Sequence, residues 1–237
     1  MSSLNKSDLR IDWASHEAAK FACENWHYSK CLPVGKLVKV GAWEDGKYIG
    51  CVIFGRGANK SLGTPYGCDQ TESCELVRIA LRQHKTPVSK IMAISLKFLK
   101  RANPKIKMVV SFADLEQGHH GGIYQATNWI YVGKSNAADE YIYKGKRWHG
   151  RAFRKSFGSH TKYLDKGLQI VPGSRKHRYL MPLNEEMRAK LEPLAMPYPK
   201  REKQANVGTT DTATVQLRSS RSNSLKNKAN LETKEVS

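Results

Sequence analysis

Residues 119–133, HHGGIYQATNWIYVG, place His119 and His120 side by side, followed by two glycines and the rings of Tyr124, Trp129 and Tyr131. The stretch carries no formal charge in a chain whose net charge is +19. Residues of these types could hold a metal, cradle a phosphate or move a proton. Two histidines chelate well at i, i+2 or i, i+4, whereas neighbours point about 100° apart on a helix and to opposite faces on a strand. The pair is therefore a poor chelate by itself. His119 could join His27 or Asp114 across space as a ligand, or serve as an acid–base group, and the residue types leave both readings open.

A second chemical candidate is RQHKTPVSK, residues 82–90, which joins an apolar strand to a helix. Free N–H groups and the dipole at a helix N-terminus favour an anion, and Arg82, His84 and Lys85 stand at this mouth. By contrast, GRGANKS at 55–61 has Asn59 where a phosphate loop needs glycine, and LGTPYG rather than a helix follows it. A zinc deaminase would need H-x-E and P-C-x-x-C, and neither occurs. The D-P-P-Y-like tetrapeptide of adenine methyltransferases is missing too. Five cysteines with no C-x-x-C pair suggest free thiols rather than a disulfide framework or a zinc ribbon.

The charge is concentrated. Residues 144–178 carry eleven Lys/Arg, among them Lys146, Arg147, Arg151, Arg154, Lys155, Arg175, Lys176 and Arg178, against the single carboxylate of Asp165. Trp148, Phe153, Phe157 and Tyr163 are interleaved with them, the pattern of a surface that grips phosphates and offers rings for stacking. A solubilising face would mix both signs, so a nucleic acid is the expected partner. No apolar run approaches the roughly 18 residues of a membrane span, and Met1 to Arg10 lacks a signal-peptide core, which predicts a cytoplasmic protein with no membrane partner.

Elements must hold these groups in place. Ser15 is a helix cap ahead of Ala18, Phe21, Ala22 and Trp26. Asp45-Gly46 between two apolar runs predicts a hairpin. CELVRIALR reads as a strand with Val77, Ile79 and Leu81 on one face, and Thr86 with Pro87 opens a helix that Pro104 ends. KIKMVVSFAD is another strand. GGIYQATN then reads as a short helix feeding the strand WIYVG, with DEYIYKG as its hairpin partner, and NEEMRAKLEPL as a late helix. Residues 1–198 are expected to form one domain and the polar residues 199–237 a disordered tail.

The order helix, hairpin, strand, anion-poised helix, strand, short helix, strand resembles the GNAT acyltransferase fold. That is an α+β architecture with a mixed, mostly antiparallel central sheet flanked by helices, here with a basic C-terminal extension. The stretch from Gly121 to Trp129 is similar to the G-x-x-x-Y-x-x-x-G-F pattern of that superfamily, with Tyr124 in the tyrosine place and Asn128 for the last glycine. The resemblance implies an acyl-CoA donor such as acetyl-CoA, lined by Leu81, Arg82, His84, Lys85, Val88 and Ser89, although this loop lacks the usual glycines.

NWHYSK, CELVRIALRQHKTPVSKI, SFADLEQGHHGGIYQATNWIYVG and KHRYLMPL together are similar to the Mom DNA-modification proteins of Mu-like bacteriophages. That likeness implies transfer of a carbamoylmethyl (acetamido, methylcarbamoyl) group to N6 of adenine in double-stranded DNA, in the bacterial host cytoplasm, protecting phage DNA from restriction. Tyr124, Asp114, His27 and His119 are then the catalytic candidates, and Tyr28, Tyr66 and Trp129 the walls for an extruded base. The product joins N6 to a methylene carbon, which plain acetyl transfer cannot do in one step. An unusual donor, or a metal such as iron, would have to contribute. The competing class is a non-catalytic DNA-binding protein on a degenerate GNAT scaffold.

Overall fold

A computed structural model describes residues 8–200 except Ala58, with Arg151 as backbone alone. The expected tail lies outside the described residues apart from its first two positions. Seven strands form the main sheet in the order β1-β2-β3-β4-β5-β10-β6: β1 Leu9–Trp13, β2 Leu37–Glu44, β3 Lys47–Gly55, β4 Ser73–Leu81, β5 Met108–Asp114, β10 Lys176–Pro182 and β6 Ile130–Lys134. Every neighbouring pair is antiparallel except β4 and β5. These two run parallel and pair only where Ser73–Glu75 meets Met108–Val110. Beyond Glu75 they part.

Alternation along β3 explains the layers. Cys51 and Ile53 face helix α1 (His16–Trp26) with Ala19, Ala22, Cys23 and Ala80. Val52 and Phe54 face helix α2 (Val88–Ala102), meeting Ile91, Met92 and Leu99. Ser15 caps α1 by accepting the Ala18 N–H at 3.0 Å, as its sequence position predicts. The buried stripe of α1 is Ala19, Ala22 and Cys23, so Phe21 points outward, unlike the expectation. The Asp45-Gly46 hairpin forms with φ of 50° and 75°, the left-handed pair that matches strand twist.

Three further expectations are corrected. Thr86 does not cap α2: Pro87 holds the cap position, and the Thr86 hydroxyl donates to Glu44 instead. In β4 the register slips, because Ile53 pairs with Arg78 but Phe54 with Leu76, and the bulge parts Val77 from Ile79 and Leu81: Leu76, Ile79 and Leu81 pack on the α2 side, Val77 and Ala80 on the α1 side. The strand after the short helix, β6, does not pair with DEYIYKG. That segment is β7 (Asp139–Tyr143), the centre of a separate three-stranded sheet between β8 (Lys146–His149) and β9 (Gln169–Pro172).

The basic segment is thus inserted in the chain between β6 and β10, not appended after the sheet. Its own core is aromatic: Tyr141, Tyr143 and Phe153 with Trp148, Phe157 and Tyr163 packed around them, Phe153 coming from helix α4 (Gly150–Phe157). Helix α5 (Glu185–Leu191), capped by Asn184, covers β10 with Met187 and Leu191.

Candidate active site

The parting of β4 and β5 opens a cleft of about 370 Å³. One wall is Leu76, Val77, Arg78 and Ile79 of β4, the other Phe112 and Ala113 of β5. His27 and Tyr28, directly after α1, and the loop from Gly118 to Gly122 close the mouth, with Tyr124 inside. A concave, largely apolar site with a few converging polar groups is the usual form of a small-molecule or base pocket.

Tyr124 sits on helix α3 (Gly122–Gln125), one turn long. Gly121 starts that turn at φ 82°, and a Cβ there would stand 2.4 Å from the Tyr179 ring, so only glycine allows the chain so close. Asn128 leaves it at φ 60°, which accounts for an asparagine in the expected glycine place. The Tyr124 ring is wedged between Tyr179 and Trp129, at centroid distances of 4.9 and 5.1 Å. Its hydroxyl lies 2.8 Å from Ser111 Oγ, and Ser111 reaches the Leu76 carbonyl at 3.1 Å. Ser111 has one proton; donating it to Leu76 makes Tyr124 the donor in their shared bond. Burial pushes the Tyr124 pKa up to about 12, against a smaller opposing effect of the Ser111 hydrogen bond. The phenol is a proton donor at neutral pH.

His27 is 9% exposed, and its pKa is lowered to about 4, first by burial and then by the charges of Arg78, His119 and Lys30. Its Nδ1 accepts the Ser29 N–H at 3.1 Å, so the neutral ring carries its proton on Nε2. The Tyr28 ring packs on His27 at 4.3 Å and meets His119 edge-on at 5.9 Å. Tyr124, His27, Tyr28 and His119 therefore come together.

Other expected site residues do not join them. Asp114 is not in the cleft wall: one carboxylate oxygen caps the turn Leu115–Gln117 through the Glu116 N–H, and the other pairs with Lys176 Nζ at 2.7 Å. Its backbone carbonyl accepts the His119 N–H, so Asp114 holds the loop that carries His119. Trp129 is fully buried with Tyr124 on its face, which leaves no face for a base. Tyr66 packs with Met108, Val110 and Leu180 away from the cleft, its hydroxyl accepting from Arg178.

Two cleft residues escaped sequence reasoning. Arg78 projects from β4, with its Nε buried and without a partner and its NH1 on the Val77 carbonyl. Ser111 interrupts the apolar run MVVSFAD. A lone cation and a lone hydroxyl inside apolar strand patterns were the available signals.

At the mouth of α2 the backbone N–H groups of Lys85 and Thr86 donate to the Glu44 carboxylate, each at 2.8 Å, and the Thr86 hydroxyl does so at 2.6 Å. Lys85 Nζ lies 3.7 Å from Asp45, the Arg82 guanidinium 5.8 Å from the Trp26 ring, and His84 Nδ1 is buried without a partner. Leu81 ends β4, while Val88 and Ser89 begin α2. This loop does not fit a CoA diphosphate. Among the described residues no group of three His, Cys, Asp or Glu side chains converges to hold a metal ion.

The cations of residues 144–178 divide into two sets. Arg154 and Lys155 are exposed on α4, Lys146 lies over Trp148 at 4.2 Å, and Arg175 is exposed before β10. Arg147 is bound to Glu140 and Glu116, Lys176 to Asp114, and Arg178 to Tyr66. The rings expected to stack on bases form the private core of the insertion instead, because a small sheet has few other ways to bury apolar surface.

A mostly antiparallel sheet with one splayed parallel pair, a helix following the central strand and flanking helices on both faces is a GNAT-like fold. The chain belongs to the Mom protein family, whose family model matches residues 8–200. It is 28% identical over 204 residues to the methylcarbamoylase Mom of Escherichia phage Mu, covering 81% of this chain and 84% of that protein. Among solved structures it is similar to FeeM, an N-acyl amino acid synthase from uncultured soil microbes, with a TM-score of 0.44 and 11% identity over 81% of this chain and 99% of that one. A second is an aminoglycoside acetyltransferase in complex with coenzyme A, with a TM-score of 0.40 and 10% identity over 63% of this chain and 99% of that one. Among the described residues no helix is long and apolar enough to cross a membrane.

Proposed function

We propose that this protein is a DNA-modifying transferase that replaces one N6–H of adenine with a carbamoylmethyl group. The observation that carries the reading is the convergence of Tyr124, His27, Tyr28, His119 and Arg78 on one cleft at the β4–β5 splay. The Mom family membership supports the class of reaction. Exposed cations on the α4 insertion supply the contacts to duplex phosphates, which position the protein without reading sequence.

Adenine N6 is stacked and paired in a duplex, so the base must be extruded to reach the cleft, at a cost of a few kcal/mol. Tyr28, half exposed at the mouth between His27 and His119, offers the ring face on which it stacks. N6 then attacks the methylene carbon of an activated carbamoylmethyl donor, the leaving group departs with its bonding pair, and N6 loses a proton. His119 at the open edge takes that proton, while the Tyr124 phenol turns its proton from Ser111 and gives it to the leaving atom, Ser111 then donating to the phenolate. His27 donates through Nε2–H, and Arg78 binds the carbamoyl oxygen. The modified adenine would no longer fit restriction nucleases, protecting phage DNA in the host cytoplasm. Residues 8–198 act as one domain in this reading.

The test is mass spectrometry of nucleosides from DNA co-expressed with the protein, with labelled acetate or glycine to trace the donor. A deoxyadenosine with one hydrogen replaced by a carbamoylmethyl group is expected from the wild type and not from Tyr124→Phe. DNA of unchanged mass from the wild type would leave a non-catalytic DNA-binding protein.

A further inference from the structure

The donor site can be read from what fills the mouth of α2, and this rests on the transferase reading above. A CoA molecule on a GNAT-like fold needs the N–H groups before that helix for its diphosphate. Here Lys85, Thr86 and Pro87 offer none to a ligand, and among the described residues only the Val88 and Ser89 N–H groups of the first turn stay without an acceptor. The first two N–H groups go to the Glu44 carboxylate and Pro87 has no N–H at all. Glu44 is the last residue of β2, buried, and fixed by the Asp45-Gly46 turn that follows it. Asp45 adds a second carboxylate beside Lys85. An incoming diphosphate would therefore meet a built-in anion at the position it requires, with like-charge repulsion in place of attraction.

We propose that the donor carries no nucleotide diphosphate: Glu44 permanently occupies the anion position, and the transferred group arrives on a carrier small enough for the splay cleft. A cavity of about 370 Å³ suits such a molecule. Glu44 thus sets donor specificity by excluding nucleotide-linked carriers. It also explains why the loop dispenses with glycines, since no diphosphate has to approach its backbone.

Isothermal titration of the full chain with CoA, with pantetheine and with ADP reads the proposal directly. The affinities for CoA and pantetheine are expected to agree within about fivefold, with no measurable ADP binding. CoA binding more than about fivefold tighter than pantetheine overturns it. Glu44→Ala, which frees the N–H groups, is expected to make CoA at least about tenfold tighter than pantetheine. A folded variant without that gain would remove Glu44 as the cause, and if the variant does not fold, the wild-type comparison decides alone. Nucleoside mass spectrometry reports transfer independently of CoA. Modified DNA together with tight CoA binding would sink only the donor proposal, and unmodified DNA only the transferase reading.

Discussion

The hydroxyls of Ser111 and Tyr124 stand 2.8 Å apart and, through Ser111 to the Leu76 carbonyl, bridge the gap that opens where β5 leaves β4. The bridge satisfies a strand carbonyl and orients the phenol at once. Tyr124→Phe should cost about 1 kcal/mol of stability and lower modification at least about a hundredfold, with DNA affinity unchanged. Ser111→Ala strands the phenol without its acceptor and should cost about 1–3 kcal/mol. Thermal melts beside nucleoside mass spectrometry separate the two; a Phe variant that modifies DNA at the wild-type rate removes Tyr124 from the chemistry.

His27 should make the fold acid-sensitive. Its folded pKa of about 4 lies below the ordinary 6.5, so between those values the unfolded chain takes up a proton that the folded chain refuses. Stability from the neutral ring is complete above pH 6.5 and is lost as pH falls toward 4, by an amount on the order of 3 kcal/mol. Denaturant titrations across this interval should show the slope, and His27→Gln should flatten it. A slope that survives the substitution assigns it elsewhere.

Arg78 is a cation in the cleft with a buried, unpartnered Nε. Such groups cost stability and persist for function. Arg78→Met should abolish modification while leaving the melting temperature equal or higher. A large drop in melting temperature would show Arg78 to be structural.

The proposed DNA contact makes the insertion the expected source of the salt dependence of binding. Arg154→Ala with Lys155→Ala should reduce the slope of log K against log salt by about 2, since each phosphate contact contributes about 0.9. Arg147→Ala should change the slope less, because its guanidinium already serves Glu140 and Glu116. Equal effects would mean that these ion pairs open on DNA.

Phe153 anchors the aromatic core of the small sheet. Phe153→Ala should destabilise it by about 3–5 kcal/mol. Hydrogen exchange should then show faster exchange in β7–β9 with the main sheet protected, and DNA affinity should fall. Exchange rising throughout the domain would show that the insertion does not unfold separately.

Local rules were enough for much of this protein. Ser15 beside an amphipathic run, Asp45-Gly46 between β-rich runs, and Pro104 at a helix end act within a few residues, so α1, the β2–β3 hairpin and α2 are legible without neighbours. Tyr124 was marked by the likeness of Gly121 to Trp129 to a superfamily pattern, whereas the close approach of Gly121 to the Tyr179 ring, which requires the glycine, is visible only in the fold. The surplus of cations in 144–178 pointed to a polyanion by composition alone. What local rules could not supply was partnership at a distance. Which strand follows β5 in the sheet is decided by β10 returning after 41 intervening residues to separate β5 from β6, and by that route alone the basic segment becomes an insertion. Asp114 left the cleft because Lys176 claims its carboxylate across that same β5–β10 pairing. The apparent anion site at α2 was filled by Glu44, 41 and 42 positions from the N–H groups it accepts. Charge and spacing show that a group can act; only the packed structure shows whether its hydrogen bonds are already spent.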